Sequence, residues 1–159
     1  MELRKILAPA ATVLFPDGLR NKFYSEQWQK SQIEAAVRDH EEALALKTHP
    51  LPYIELQFNV ANHLPVVLQV YGATVEIWLG KPIVQFNSFL SESIRPNETR
   101  QGLRAYTFLN NFQSDLLNPP KKDSLPPNVT VNLTVSCRST LGFVEKTVKS
   151  TWMAVKILP

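Results

Sequence analysis

The chain has 159 residues, 44% of them hydrophobic and 19% charged, which excludes wholesale disorder and leaves length for one domain with a sizeable core. The formal charge of +3 is too small an excess to point to nucleic acid or an anionic membrane as a partner. A single cysteine, Cys137, excludes an internal disulfide and any multi-cysteine metal site.

The N-terminus opens with Met1-Glu2-Leu3-Arg4-Lys5 and the apolar run Ile6 to Phe15. Pro9 and Pro16 interrupt the outline of a signal peptide, and a run of this length is too short to span a bilayer. A packed extended segment is expected there, with a turn at Pro16-Asp17-Gly18. A helix is then expected from Ser25, a good N-cap, to about Lys47. Ile33, Ala36, Val37, His40 and Leu44 would share one stripe at helical spacing. Residues 1–52 thus form an N-terminal segment and helix, packed on the rest of the chain or on a partner. The helix as drawn carries more acidic than basic side chains, a poor match for an anionic bilayer.

From Tyr53 the period becomes two. Ile54, Leu56, Phe58 and Val60 alternate with polar residues in a half-buried strand. Asn62-His63-Leu64-Pro65 breaks it. A second run covers Val66 to Leu79, with Val75, Ile77 and Leu79 on one face and Trp78 on the other. Gly80-Lys81-Pro82 turns the chain into a third strand, Ile83 to Phe86. Ser91 to Arg100 reads as an exposed polar stretch, Leu103 to Leu109 as a fourth strand, and Asn110 to Leu117 as one or two turns of helix. Asn118 to Pro127 is a proline-rich loop. Val129, Val131, Leu133 and Val135 alternate with polar residues in the cleanest strand pattern of the chain. Leu141-Gly142 marks a turn, and a final strand from Phe143 to Leu158 is long enough to need a bulge or bend. Six or seven short strands at such spacing argue for an antiparallel β-sandwich over residues 53–159.

The strand Ile54 to Val60 running into Asn62, the Leu64-Pro65-Val66 step, the Gly-Lys-Pro turn, the helical piece Phe112 to Leu117 and the closing hairpin through Leu141-Gly142 together resemble the late embryogenesis abundant type 2 family, the water stress and hypersensitive response domain. His63 stands where that family has proline, and the N-terminal helix lies outside its core domain. The resemblance implies a fibronectin-III/immunoglobulin-like sandwich, mostly non-enzymatic, with members that are soluble and stress-linked or tethered to membranes.

No phosphate loop, dinucleotide fingerprint, HExxH, CxxC or GxSxG motif occurs. His40, His49 and His63 are spread over three segments, so no metal or cofactor is expected, and a structural thiol is expected at Cys137. Ser136-Cys137-Arg138-Ser139 gathers polar groups in sequence, but strand alternation sends neighbours to opposite faces. Asn97, Asn128 and Asn132 begin N-glycosylation sequons. Trp28, Ile33, Val37, Leu44 and Trp78 are the candidate interaction surface, Trp78 offering a face that the helix could cover.

The expected function is a non-enzymatic binding or interaction module. Another protein chain is the expected partner, with membrane proximity through a segment outside this chain and an extracytoplasmic or membrane-anchored location. The alternatives are a structural subunit docking through its N-terminal segment and, with least support, a hydrolase.

Overall fold

A computed structural model describes residues 23–119 and 127–159. The extended segment and turn expected before residue 23, and most of the loop expected between Asn118 and Pro127, lie outside the described residues. The described chain is mainly β, with two sheets enclosing one hydrophobic core and two short helices.

The long N-terminal helix is replaced by a short one and two strands. Helix α1 spans Glu26–Ser31, and Ser25 caps it by accepting from the Trp28 N–H at 3.2 Å. Strand β1 (Ile33–Val37) and strand β2 (Leu44–Lys47) follow. The reason is partly local and partly tertiary. In Ile-Glu-Ala-Ala-Val, the apolar positions fit a period of two as well as a helical stripe, and Ala43 to Leu46 is a short fully buried run that either state could hold. What decides is strand β3 (Tyr53–Asn62), whose one flank pairs with β1 at Phe58 to Asn62 and with β2 at Tyr53 to Leu56. The Gln57 backbone bridges the break between them, donating to Ala43 O at 2.7 Å and accepting from Arg38 N–H at 3.0 Å. The sheet therefore begins well before residue 53, where the sequence placed the domain boundary.

Strand β4 (Leu68–Trp78) leads through Gly80, at φ 68°, into β5 (Pro82–Ile94). Strand β6 (Glu98–Phe108) follows the Arg95–Asn97 turn, so the exposed stretch expected from Ser91 to Arg100 is two strand ends meeting. Helix α2 (Asn111–Leu117) has a capping box between Asn110 and Gln113 and buries Leu117 completely. Strand β7 (Asn128–Ser139) and strand β8 (Gly142–Ala154) form the closing hairpin, and Gly142, at φ 142°, turns it in a conformation that side chains resist. Val155 then carries the chain across to the first sheet, where β9 (Lys156–Leu158) runs parallel to β2. The bulge or bend expected in the last strand takes both forms, a register shift in β8 between Val148 and Thr151 and this change of sheet.

One sheet holds β6 and the β1/β2 pair on either side of β3, with β9 beyond β2; the other has the order β5-β4-β7-β8. Among the described residues every strand pair is antiparallel except β2 with β9.

Asn62 ties the end of β3 to its surroundings. Its side chain is wholly buried, donates to Val66 O and Ile94 O at 2.9 Å each, and accepts from the Leu64 N–H at 3.0 Å. Asn62→Ala would strand two carbonyls and one N–H in a buried turn, at a cost of about 2–3 kcal/mol. Asn62→Asp, with a similar outline but without its two donors, should be at least as damaging in urea denaturation. A loss below about 0.5 kcal/mol, the level of an ordinary surface change, would show that the clamp contributes nothing.

Candidate functional site

Most outward positions of the β5-β4-β7-β8 sheet are polar, and aromatic rings sit toward its two ends. At the end nearest the β7–β8 turn, Gln69 of β4, Arg138 of β7 and Phe143 of β8 lie in one cross-strand row. A bulge between Val70 and Gly72 leaves Tyr71 unpaired and facing outward beside that row. The bulge changes the parity of β4, so Tyr71 is exposed while Ala73, Val75 and Ile77 are buried. The Tyr71 and Phe143 rings pack with centroids 5.7 Å apart at 41°. Val67 from the β3–β4 loop, and Ser139, Thr140 and Gly142 at the hairpin turn, complete a concavity of about 940 Å³.

The site keeps apolar surface in water. Phe143 is 52% exposed, Val67 46% and Tyr71 38%. Burial raises the Tyr71 phenol above its usual range; the Ser136 hydroxyl opposes this and Glu145 reinforces it. Arg138 is the only charged residue lining the concavity, is exposed, and forms no ion pair or side-chain hydrogen bond among the described residues.

The hairpin forming one rim is held from beneath by α1. Gln29, only 4% exposed, donates to Leu141 O at 3.3 Å and to Tyr24 O at 2.8 Å. Lys146 of β8 donates to Lys30 O at 2.8 Å, placing a cation at the helix C-terminus, where the dipole favours it. Tyr24 and Trp28 pack edge to face, Tyr24 in the core and Trp28 against it.

The candidate interaction surface is not assembled. Ile33 and Leu44 are core residues with no exposure, because β1 and β2 turn them inward. Trp28 and Val37 are partly buried against the core. Trp78 is exposed, but α1 rests on β8 and β1 rather than over it. Trp78 lies in a row with Thr130 and Trp152 at the opposite end of the sheet.

The sequons differ in setting. Asn97 and Asn128 are exposed, the first at a turn with φ 60° and the second at the start of β7. Asn132 is half-buried, with its amide engaged by Glu76 and Ser150. His63 lies 3.4 Å from Glu34, and His40 Nδ1 accepts from the Glu42 N–H. Among the described residues, no three His, Cys, Asp or Glu side chains gather into a metal site. No described helix is long and apolar enough to cross a membrane.

Cys137 faces the core with no exposure, while Ser136 and Arg138 face outward, so the Ser-Cys-Arg-Ser run is split between two faces. Burial pushes the thiol up to about 12. The folded protein therefore holds this proton to higher pH than the unfolded chain. The thiol's contribution to stability is complete below pH 9 and is lost as pH rises toward 12. Relative to Cys137→Val, the wild type should lose about 2 kcal/mol of additional stability on going from neutral pH to about pH 10.5. Parallel stability curves for the two proteins across that window, in urea, would contradict a buried neutral thiol.

A second, smaller concavity of about 190 Å³ on the other sheet is lined by Tyr53, Glu55, Tyr106 and Phe108. Its charges are internally matched. Glu55 accepts from Gln57 at 3.4 Å and lies 3.9 Å from Arg104, and Lys47 sits 5.4 Å over the Tyr53 ring. This cluster lacks the free charge that marks the first site.

The chain matches no family model and no curated protein. Among solved structures it is similar to the Northeast Structural Genomics Consortium target SoR45, at 13% identity and TM-score 0.52, over 79% of this chain and 88% of that one. A Bordetella pertussis protein described as ApaA has 13% identity and TM-score 0.49, over 77% and 93% of the two chains. An Archaeoglobus fulgidus protein has 12% identity and TM-score 0.43, over 79% and 97%. At these identities the first likeness speaks to fold alone.

Proposed function

We propose that the chain is a non-enzymatic binding module of the fibronectin-III/immunoglobulin-like class, related to the late embryogenesis abundant type 2 domain, that recognises an extended segment of another protein chain. The class is supported by the strand order: the sheet around β3 takes the first strands and β6, and β5-β4-β7-β8 form the second, with the β5–β6 connection crossing between them. The relation to the type 2 domain rests on the residues that resemble it, among them Asn62 and the closing hairpin.

One observation carries the binding role, the packed Tyr71–Phe143 pair left in water on the floor of an open concavity. Aromatic rings supply large contact area at low entropic cost, and an exposed apolar patch with a polar rim marks an interaction surface. A small-molecule site encloses most of its ligand, whereas this surface lies open along the sheet, as suits a peptide laid across it.

The test is selection of displayed random 12-residue peptides on the full chain. Enriched peptides should bind the Tyr71→Ser/Phe143→Ser variant at least about tenfold more weakly, as expected when two anchoring aromatics are lost. No enrichment, or enriched peptides indifferent to that variant, would refute the reading. Both positions are exposed, so the variant should remain folded, as checked by its urea midpoint.

A further inference from the structure

We infer that the concavity selects an acidic residue flanked by apolar ones, its carboxylate held by Arg138. This rests on the binding role proposed above and adds the chemistry of the partner. Among the described residues Arg138 is the single charged one lining the site, and its guanidinium is paired with nothing there. Gln69 stands on one side of it in the cross-strand row and Phe143 on the other, with Tyr71 packed on Phe143. A carboxylate at the guanidinium would thus have an amide donor beside it and aromatic surface adjacent for its neighbours in sequence.

The charge count chooses between partners. Nucleic acid and phosphorylated segments are held by several cations that follow or surround the phosphates. One guanidinium matches one carboxylate. The aromatic pair beside it calls for a hydrophobic residue next to that acid.

The experiment titrates the isotopically labelled full chain with acetyl-Leu-Asp-Phe-amide and with acetyl-Leu-Asn-Phe-amide, following backbone amide shifts. The aspartate peptide should shift Gln69, Tyr71, Arg138 and Phe143 and bind about fivefold tighter than the asparagine peptide, the scale of a solvent-exposed ion pair. Arg138→Gln should remove that difference by weakening the aspartate peptide, and added salt should narrow it. Equal affinity of the two peptides at these residues would overturn the acidic selection and leave the binding role standing. Absence of shifts with both peptides would count against both. Binding of a thymidine oligonucleotide at the same residues, tighter than the aspartate peptide, would overturn the polypeptide assignment in favour of single-stranded nucleic acid.

Discussion

Phe58→Ala is expected to lower the unfolding free energy by about 3–5 kcal/mol. Phe58 is fully buried and sits where β3 has neighbours on both sides, opposite Val37 of β1 and Leu103 of β6. Truncation removes most of a large ring from the centre of that sheet, and the ladders on either side restrain the backbone from closing the space. The cost combines lost transfer free energy with the cavity left behind. Urea denaturation followed by tryptophan fluorescence measures it. A loss below about 0.5 kcal/mol would place the ring at the surface and overturn the orientation of β3.

Leu133→Ala is expected to cost about 2–5 kcal/mol from the opposite sheet. Leu133 is fully buried in β7, between Val75 of β4 and Val148 of β8. Phe58 and Leu133 belong to one core cluster although they lie in different sheets. Each variant should therefore shift the midpoint of a single transition without changing its slope. Two separate transitions in either variant would show that the sheets unfold independently and that the core is not shared.

Leu133 was legible from sequence because β7 has one face in the core and one in water. Its burial alternates along nearly its whole length, so each apolar position declares its direction. The same holds for most of β3 and for Cys137, whose inward direction follows from its place in the alternating run. Helix α2, expected as one or two turns over Asn110 to Leu117, forms there with a capping box between Asn110 and Gln113, a local feature.

The stretch from Ile33 to Lys47 misled because its apolar spacing satisfies two periods at once. Hydrogen bonding to β3 chose the strand, and β1 reaches β3 only across the intervening β2, so no pattern within Ile33 to Val37 records the choice. The polar ends of β5 and β6, expected as an exposed polar stretch from Ser91 to Arg100, are strands up to Ile94 and from Glu98. Their ladders satisfy the backbone while many side chains stay in water, so hydrophobic periodicity carries little signal.

Sequence by itself determined the predominance of strands from Tyr53 onward, the faces of β3 and β7, the short helix α2 and the buried thiol. Each follows from local periodicity or a local cap. Only the tertiary structure decided the concavity. Tyr71 and Val75 have the same parity in sequence, yet one faces water and the other the core, because a bulge against β5 and β7 shifts the register between them. Arg138 and Phe143 reach Tyr71 through strand pairing across a long separation in sequence. Register is a property of paired strands, so the face that a bulged residue presents is fixed when the sheet assembles.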